Sequence, residues 1–181
     1  MLISHPDASR ARRRWLVPVA AVAALMLGVA AAWYLLGERT SRDAGPLLAI
    51  SLPDADGTVQ PLEQWRGKLL VVNFWATWCA PCREEMPMFV RAQAQHGASG
   101  LQFVGIAVDE VAKVKQFAAE IGVNYPTLIG GFGAMELSRV LGNSAMALPY
   151  TVIVGRDGRI VQTQLGPLRQ EQLDRLVRVG L

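Results

Sequence analysis

The sequence predicts an α/β domain, with a mixed central sheet flanked by helices, behind an amino-terminal membrane-spanning helix. Three observations carry this. From residue 47 onward, short continuous apolar runs alternate with amphipathic stretches. An Asp157-Gly158 pair between two apolar runs marks an antiparallel hairpin at the end of the sheet. The 22 residues from Trp15 to Leu36 carry no charge. Hydrophobic residues make up 51% of the 181-residue chain and charged ones 18%, a composition too apolar for a disordered protein.

As a helix, residues 15–36 would span about 33 Å, the depth of a bilayer's hydrocarbon core. Trp15, Trp33 and Tyr34 stand near its ends, where interfacial aromatics belong. Arg10, Arg12, Arg13 and Arg14 precede it, and positive flanks stay in the cytoplasm. The expected organisation is a cytoplasmic basic tail (1–14), an anchor (15–36), a short polar linker (37–46) and a folded domain (47–181). This makes a single-pass inner-membrane protein with its domain in the periplasm. The rival reading is a cleaved signal peptide with Ala30-Ala31-Ala32 at its cleavage site. The domain faces the same compartment in either case.

Within the domain, Leu69–Trp75 and Leu101–Val108 read as strands buried on both faces. Pro81 to about Gln95 reads as a helix with Glu84 and Glu85 in its first turn and a kink at Pro87. Val111–Ile121 is a second helix, Tyr125–Ile129 a short extended run, and Ala134–Leu141 a helix ended by Gly142. Tyr150–Val154 and Ile160–Gln164 form the hairpin, and Gln170–Val179 is a closing amphipathic helix.

The net charge of +3 does not point to nucleic acid. Residues 1–14 alone account for it, with four arginines against Asp7, and residues 37–181 balance at fourteen charges of each sign. Two cysteines and two histidines are too few for a zinc ribbon or a multi-histidine metal domain.

The chemistry concentrates in Trp78-Cys79-Ala80-Pro81-Cys82, between the first buried strand and the helix after it. Cysteines at i and i+3 on a first helical turn can form a disulfide. Unpaired N–H groups at a helix start favour a thiolate over a thiol. Cys79 is therefore expected as the exposed low-pKa nucleophile and Cys82 as the resolving thiol. Pro81 suits the early helix, where its missing N–H costs little. The alternatives are a structural disulfide, which closes too small a loop to stabilise much, and a metal site, which lacks further ligands. No resident cofactor or metal is expected, and the redox group is the Cys79–Cys82 pair itself.

WCAPC after an apolar strand resembles the thioredoxin fold. The string VVNFWATWCAPCREEMP (Val71–Pro87) is similar to the TlpA/ResA/DsbE branch of membrane-anchored thiol–disulfide oxidoreductases. DADGTVQPLEQWRGKLL (Asp54–Leu70), YPTL (Tyr125–Leu128) and ALPYTVIVGRDGRIV (Ala147–Val161) resemble its amino-terminal extension, central insertion and cis-proline hairpin.

The resemblance implies that Cys79 and Cys82 are the redox pair and that Glu85 is the acid tuning the site. It implies a cis bond before Pro149, whose backbone pairs with an extended substrate. Leu148 stands where relatives often carry Thr, Val or Ile, a departure that touches substrate preference. Asn73 occupies the place of thioredoxin's buried acid, which leaves Glu85 as the proton partner. Trp75 and Trp78 read as half core and half site wall, with Trp78 shaping the site. Glu84 and Arg83 read as solvated, and His96 as a surface-loop residue.

The implied activity is reduction of protein disulfides, with re-reduction by a DsbD/CcdA-type membrane donor. The implied targets are the haem-binding cysteines of apocytochrome c or the thiols of copper-delivery proteins. A disulfide-donating oxidant is the alternative; a copper chaperone or a thiol peroxidase is a more distant one.

Overall fold

The computed structural model describes residues 22–32 and 43–181. The chain divides into two units, Met1–Ser41 and Arg42–Leu181. In the first, residues 22–32 are helical (α1) with exposed side chains. Among the described residues, no helix is long and apolar enough to cross a membrane. The basic tail and the remainder of the expected anchor lie outside the described residues.

The second unit is built on a five-stranded sheet in the order β5-β4-β3-β6-β7. Its strands are β3 (Leu69–Trp75), β4 (Leu101–Ala107), β5 (Thr127–Ile129), β6 (Tyr150–Val154) and β7 (Ile160–Leu165). β3, β4 and β5 run parallel, and β6 and β7 are antiparallel to their neighbours, so the sheet is mixed. The structure is a thioredoxin-like α/β fold.

Every residue of β3 and β4 is buried, which is why both read as unbroken apolar runs. Alternation sends the two faces into separate cores. Leu70, Val72 and Phe74 pack with Leu47, Leu62 and Leu128 on one side. Leu69, Val71 and Trp75 pack on the other with Met86 and Phe89 of the helix α3 (Ala80–His96). α3 continues through Pro87, and His96 is its last residue instead of part of the loop beyond. The helices α4 (Val111–Glu120), α5 (Gly131–Val140) and α6 (Gln170–Gly180) complete the two layers.

Three features differ from the sequence expectation. The folded unit is already packed at Ala44, inside the expected linker. Ala44 is fully buried, and the short helix α2 (Gly45–Leu48) sends Leu47 and Leu48 into the core. A two-stranded hairpin, β1 (Ser51–Pro53) and β2 (Val59–Pro61), precedes the main sheet. Asp54 closes its turn by accepting the N–H groups of Asp56 and Thr58, and three-residue strands are too short to show a period. Finally, α5 begins at Gly131 and not at Ala134. A Cβ at Gly130 would lie 2.5 Å from Cβ of Ala134 and 2.7 Å from Ile106 Cγ2, so glycine there lets α5 seat directly on β4.

Candidate active site

The loop leaving β3 delivers Cys79 to the N-cap of α3. Its backbone is extended (φ −89°, ψ 100°), and its sulfur accepts the N–H of Cys82 at 3.3 Å. Cys79 and Cys82 form a disulfide with Cα atoms 5.3 Å apart. Pro81 lies in the first turn of α3, where no donor is required. Cys79 keeps 6% of its surface and Cys82 none. The expected order of accessibility stands, but the expectation of an exposed Cys79 is corrected. Cys79 belongs to the same buried cluster as Trp75, Cys82 and Met86.

Asp109, just past β4, anchors the loop. Its Oδ2 accepts both the N–H and the hydroxyl of Thr77, two residues before Cys79. Partial burial pushes this carboxyl up, but the bonds from Thr77 and Glu110, with Lys113 nearby, outweigh that and hold it below the ordinary range. Sequence reading missed Asp109, since only the β3–β4 register puts it beside Thr77.

Glu85 lies one turn beyond Cys82 on the same side of α3 and is only 4% exposed. Asn73 on β3 donates its side-chain amide to Oε1 at 2.8 Å, and the Leu168 N–H donates to Oε2 at 2.7 Å. Burial raises the carboxyl to about 7, and the two hydrogen bonds offset only part of that rise. Asn73 also donates to Thr151 Oγ1 at 3.0 Å, tying β3, α3 and β6 at one point. Neighbouring Glu84 is exposed, and Arg83 reaches over the Phe117 ring with its guanidinium carbon 5.1 Å from the centroid.

The Leu148–Pro149 peptide bond is cis. Pro149 is buried, and Leu148 packs against both cores, including the one that holds Cys79 and Cys82. Since Phe74 pairs with Tyr150, Pro149 stands at the end of the sheet where the dithiol loop emerges. Asn143, also unforeseen, braces the approach. It is buried, donates to the Ala147 carbonyl and accepts the Ala147 N–H.

The two tryptophans part company. Trp75 is wholly core, whereas Trp78 is 68% exposed beside Cys79. A shallow groove of about 370 Å³ runs along Ala80, Arg83, Phe117 and Ile121 next to the disulfide. A larger one of about 590 Å³, lined by Leu69, Val161, Leu176 and Val179, sits at the opposite end of the sheet. It is remote from the sulfur chemistry. Among the described residues, no group of three or more His, Cys, Asp or Glu side chains could hold a metal ion.

A family profile, Redoxin, matches residues 41–178. The chain belongs to the Redoxin family. Within that family its relatives are of the TlpA/ResA/DsbE type. Thiol-disulfide oxidoreductase ResA of Bacillus thuringiensis subsp. konkukian is 29% identical over 126 residues, covering 69% of this chain and 70% of the relative. ResA of Halalkalibacterium halodurans is 23% identical over 172 residues, covering 93% of this chain and 95% of that one. Among solved structures, MTB DsbF superposes with a TM-score of 0.65 at 27% identity, covering 75% of this chain and 98% of that one. A thiol:disulfide interchange protein of Chlorobium tepidum TLS gives 0.63 at 31% identity, covering 72% and 92%. This Redoxin-family chain is a thiol–disulfide oxidoreductase of the ResA/DsbE kind, and its only cysteines are the pair at the start of α3.

Proposed function

We propose that the protein is a membrane-tethered periplasmic reductase of protein disulfides. One observation carries the reading: a buried carboxyl with a pKa near 7, one helical turn behind a disulfide at a helix N-terminus. Such a group takes and returns protons at the pH where exchange runs.

The reduced protein starts with Cys79 as thiolate and Cys82 as thiol. Cys79 attacks one sulfur of a substrate disulfide. The substrate S–S bond breaks, a Cys79–substrate bond forms, and the released substrate thiolate takes up a proton. Glu85 then accepts the proton of Cys82, whose thiolate attacks Cys79. The Cys79–Cys82 bond forms, and the second substrate sulfur leaves and is protonated. Two electrons pass from the protein to the substrate. A DsbD/CcdA-type membrane dithiol supplies them again in the next cycle.

Pro149 stands at the end of the sheet where the dithiol loop emerges, and in this reading its backbone pairs with an extended substrate strand. Trp78, Pro81, Leu148 and Pro149 are its contacts in this reading. The name of the relatives, thiol-disulfide oxidoreductase, supports thiols or disulfides as targets, and the apocytochrome c haem-binding cysteines and copper-delivery thiols fit as substrates. The uncharged run 15–36 after four arginines supports the tether.

The opposite direction has one observation in its favour. The Cys82 N–H aimed at the Cys79 sulfur stabilises a Cys79 thiolate, and a stabilised reduced form makes the disulfide oxidising. Trapping separates the roles. Cys82→Ser should accumulate a mixed disulfide with a protein substrate, and Cys79→Ser should form none. A mixed disulfide on Cys82 in Cys79→Ser would overturn the assignment.

A further inference from the structure

Gly105 stands in the middle of β4, a strand buried along its whole length. A glycine inside such a strand often marks a place where another group comes close to the backbone. Here that group is an indole. A Cβ on Gly105 would lie 2.9 Å from Trp75 Nε1 and 3.6 Å from Thr127 Oγ1. The register sets this up. Asn73 of β3, Gly105 of β4 and Thr127 of β5 are successive partners across the sheet, and the Gly105 N–H donates to the Pro126 carbonyl at 2.9 Å. Trp75 lies two residues along β3 from Asn73, so its side chain leaves the sheet on the same face. That face carries α3, and Trp75 shares its buried cluster with Cys79 and Cys82.

The two polar atoms that meet over Gly105 are both without partners. Among the described residues, Trp75 Nε1 and Thr127 Oγ1 are buried side-chain polar atoms that make no hydrogen bond within the protein. Trp75 is wholly buried, and Thr127 is only 9% exposed. Buried polar side-chain atoms are as a rule paired, within the protein or with ordered water. Both of these atoms border one point, so a single small ligand there would satisfy both.

Chemistry narrows that ligand. An indole N–H is a donor only, so the ligand must present an acceptor, which excludes a cation. A buried anion would need a buried positive partner, and among the described residues no Lys, Arg or His side chain is buried. Water accepts from the indole and either donates to or accepts from the hydroxyl, and an internal water is held by two to four such partners.

We propose that Trp75 and Thr127 bind one internal water molecule in the cradle over Gly105, as a fixed part of the layer that holds the dithiol. Gly105 is there because any side chain would fill the cradle. The site lies one strand from Asn73, the residue that holds Glu85. It is independent of the direction in which the dithiol works.

The test uses the full chain, oxidised, isotopically labelled and in detergent, and reads the contact of each indole N–H with water by NMR. At Trp75 the water cross-peak should have opposite signs in laboratory-frame and rotating-frame spectra, the signature of a water that stays bound while the protein tumbles. At Trp78, which is 68% exposed, passing solvent should give the same sign in both. Thr127→Val keeps the side chain's shape and removes the hydroxyl, and should abolish the Trp75 cross-peak. Thr127→Ser should retain it. Absence of an opposite-signed cross-peak at Trp75 in the wild type overturns the proposal, since the two groups would then bond each other directly or stay unpaired. A cross-peak unchanged in Thr127→Val overturns it too, because the water would then be held without the hydroxyl.

Discussion

Asn73 of β3 donates to the Glu85 carboxylate of α3 at 2.8 Å, so the sheet holds the acid that stands behind the dithiol. The amide does from β3 what a carboxylate at that position could not: it stabilises the ionised form of Glu85. Burial works the other way, and the balance leaves the acid near neutrality.

This balance has a consequence for stability. Folded Glu85 holds its proton more tightly than the unfolded chain does, with a pKa raised from the ordinary 4.5 to about 7. Its effect on stability is therefore most favourable below pH 4.5 and is lost as pH rises to about 7. The loss amounts to at most about 3 kcal/mol over that window. Glu85→Gln should remove this slope. Denaturation of the oxidised protein at pH 4.5, 6 and 8 checks it through the difference between wild type and variant. A difference that is constant with pH contradicts the account.

Removing the amide should move the acid further. In Asn73→Ala, Glu85 loses a bond that lowers its pKa, so the pH at which Cys82 resolution reaches half its maximum should rise. The variant should also lose about 1–3 kcal/mol of stability at pH 8, because a buried carboxylate is left short of a donor. Stopped-flow resolution of a preformed mixed disulfide, followed from pH 5 to 9, reads the shift.

Asp109 should matter to catalysis without touching sulfur. Asp109→Ala frees the Thr77 N–H and hydroxyl, and with them the loop that sets Cys79 at the N-cap. Exchange should slow severalfold, and stability should fall by about 1–2 kcal/mol. Thr77→Ala, which keeps the backbone bond, should show a smaller effect in both measurements.

Gly130→Ala tests the seating of α5. The added methyl would meet Ala134 and Ile106 at 2.5 and 2.7 Å, so α5 must shift off β4. A loss of about 1–3 kcal/mol in a urea titration is expected. A neutral result would mean that α5 is seated less closely on the sheet than described.

Much of this was legible in the chain because its signals are local. β3 and β4 are buried on both faces and so write continuous apolar runs, and the Cys79–Cys82 spacing lies within one helical turn. The hairpin β1–β2 was illegible because three residues cannot display an alternation. The partners of Glu85 were illegible for another reason. Asn73 lies 12 positions away and Leu168 lies 83 away, and only the packing of α3 against the sheet and the entry to α6 joins them. Cys79 was expected to be exposed from its place at the helix start. The chain pattern could not show that Cys79 joins the buried cluster of Trp75, Cys82 and Met86.

The reduction potential of the Cys79–Cys82 pair tests the central claim most directly. The purified chain would be equilibrated in defined dithiol buffers, and tryptophan fluorescence would follow its redox state through Trp78 beside Cys79 and buried Trp75. The account predicts a value near that of thioredoxin, about −270 mV, fit for reducing protein disulfides. A value near that of DsbA, about −120 mV, would contradict it and make the protein a donor of disulfides.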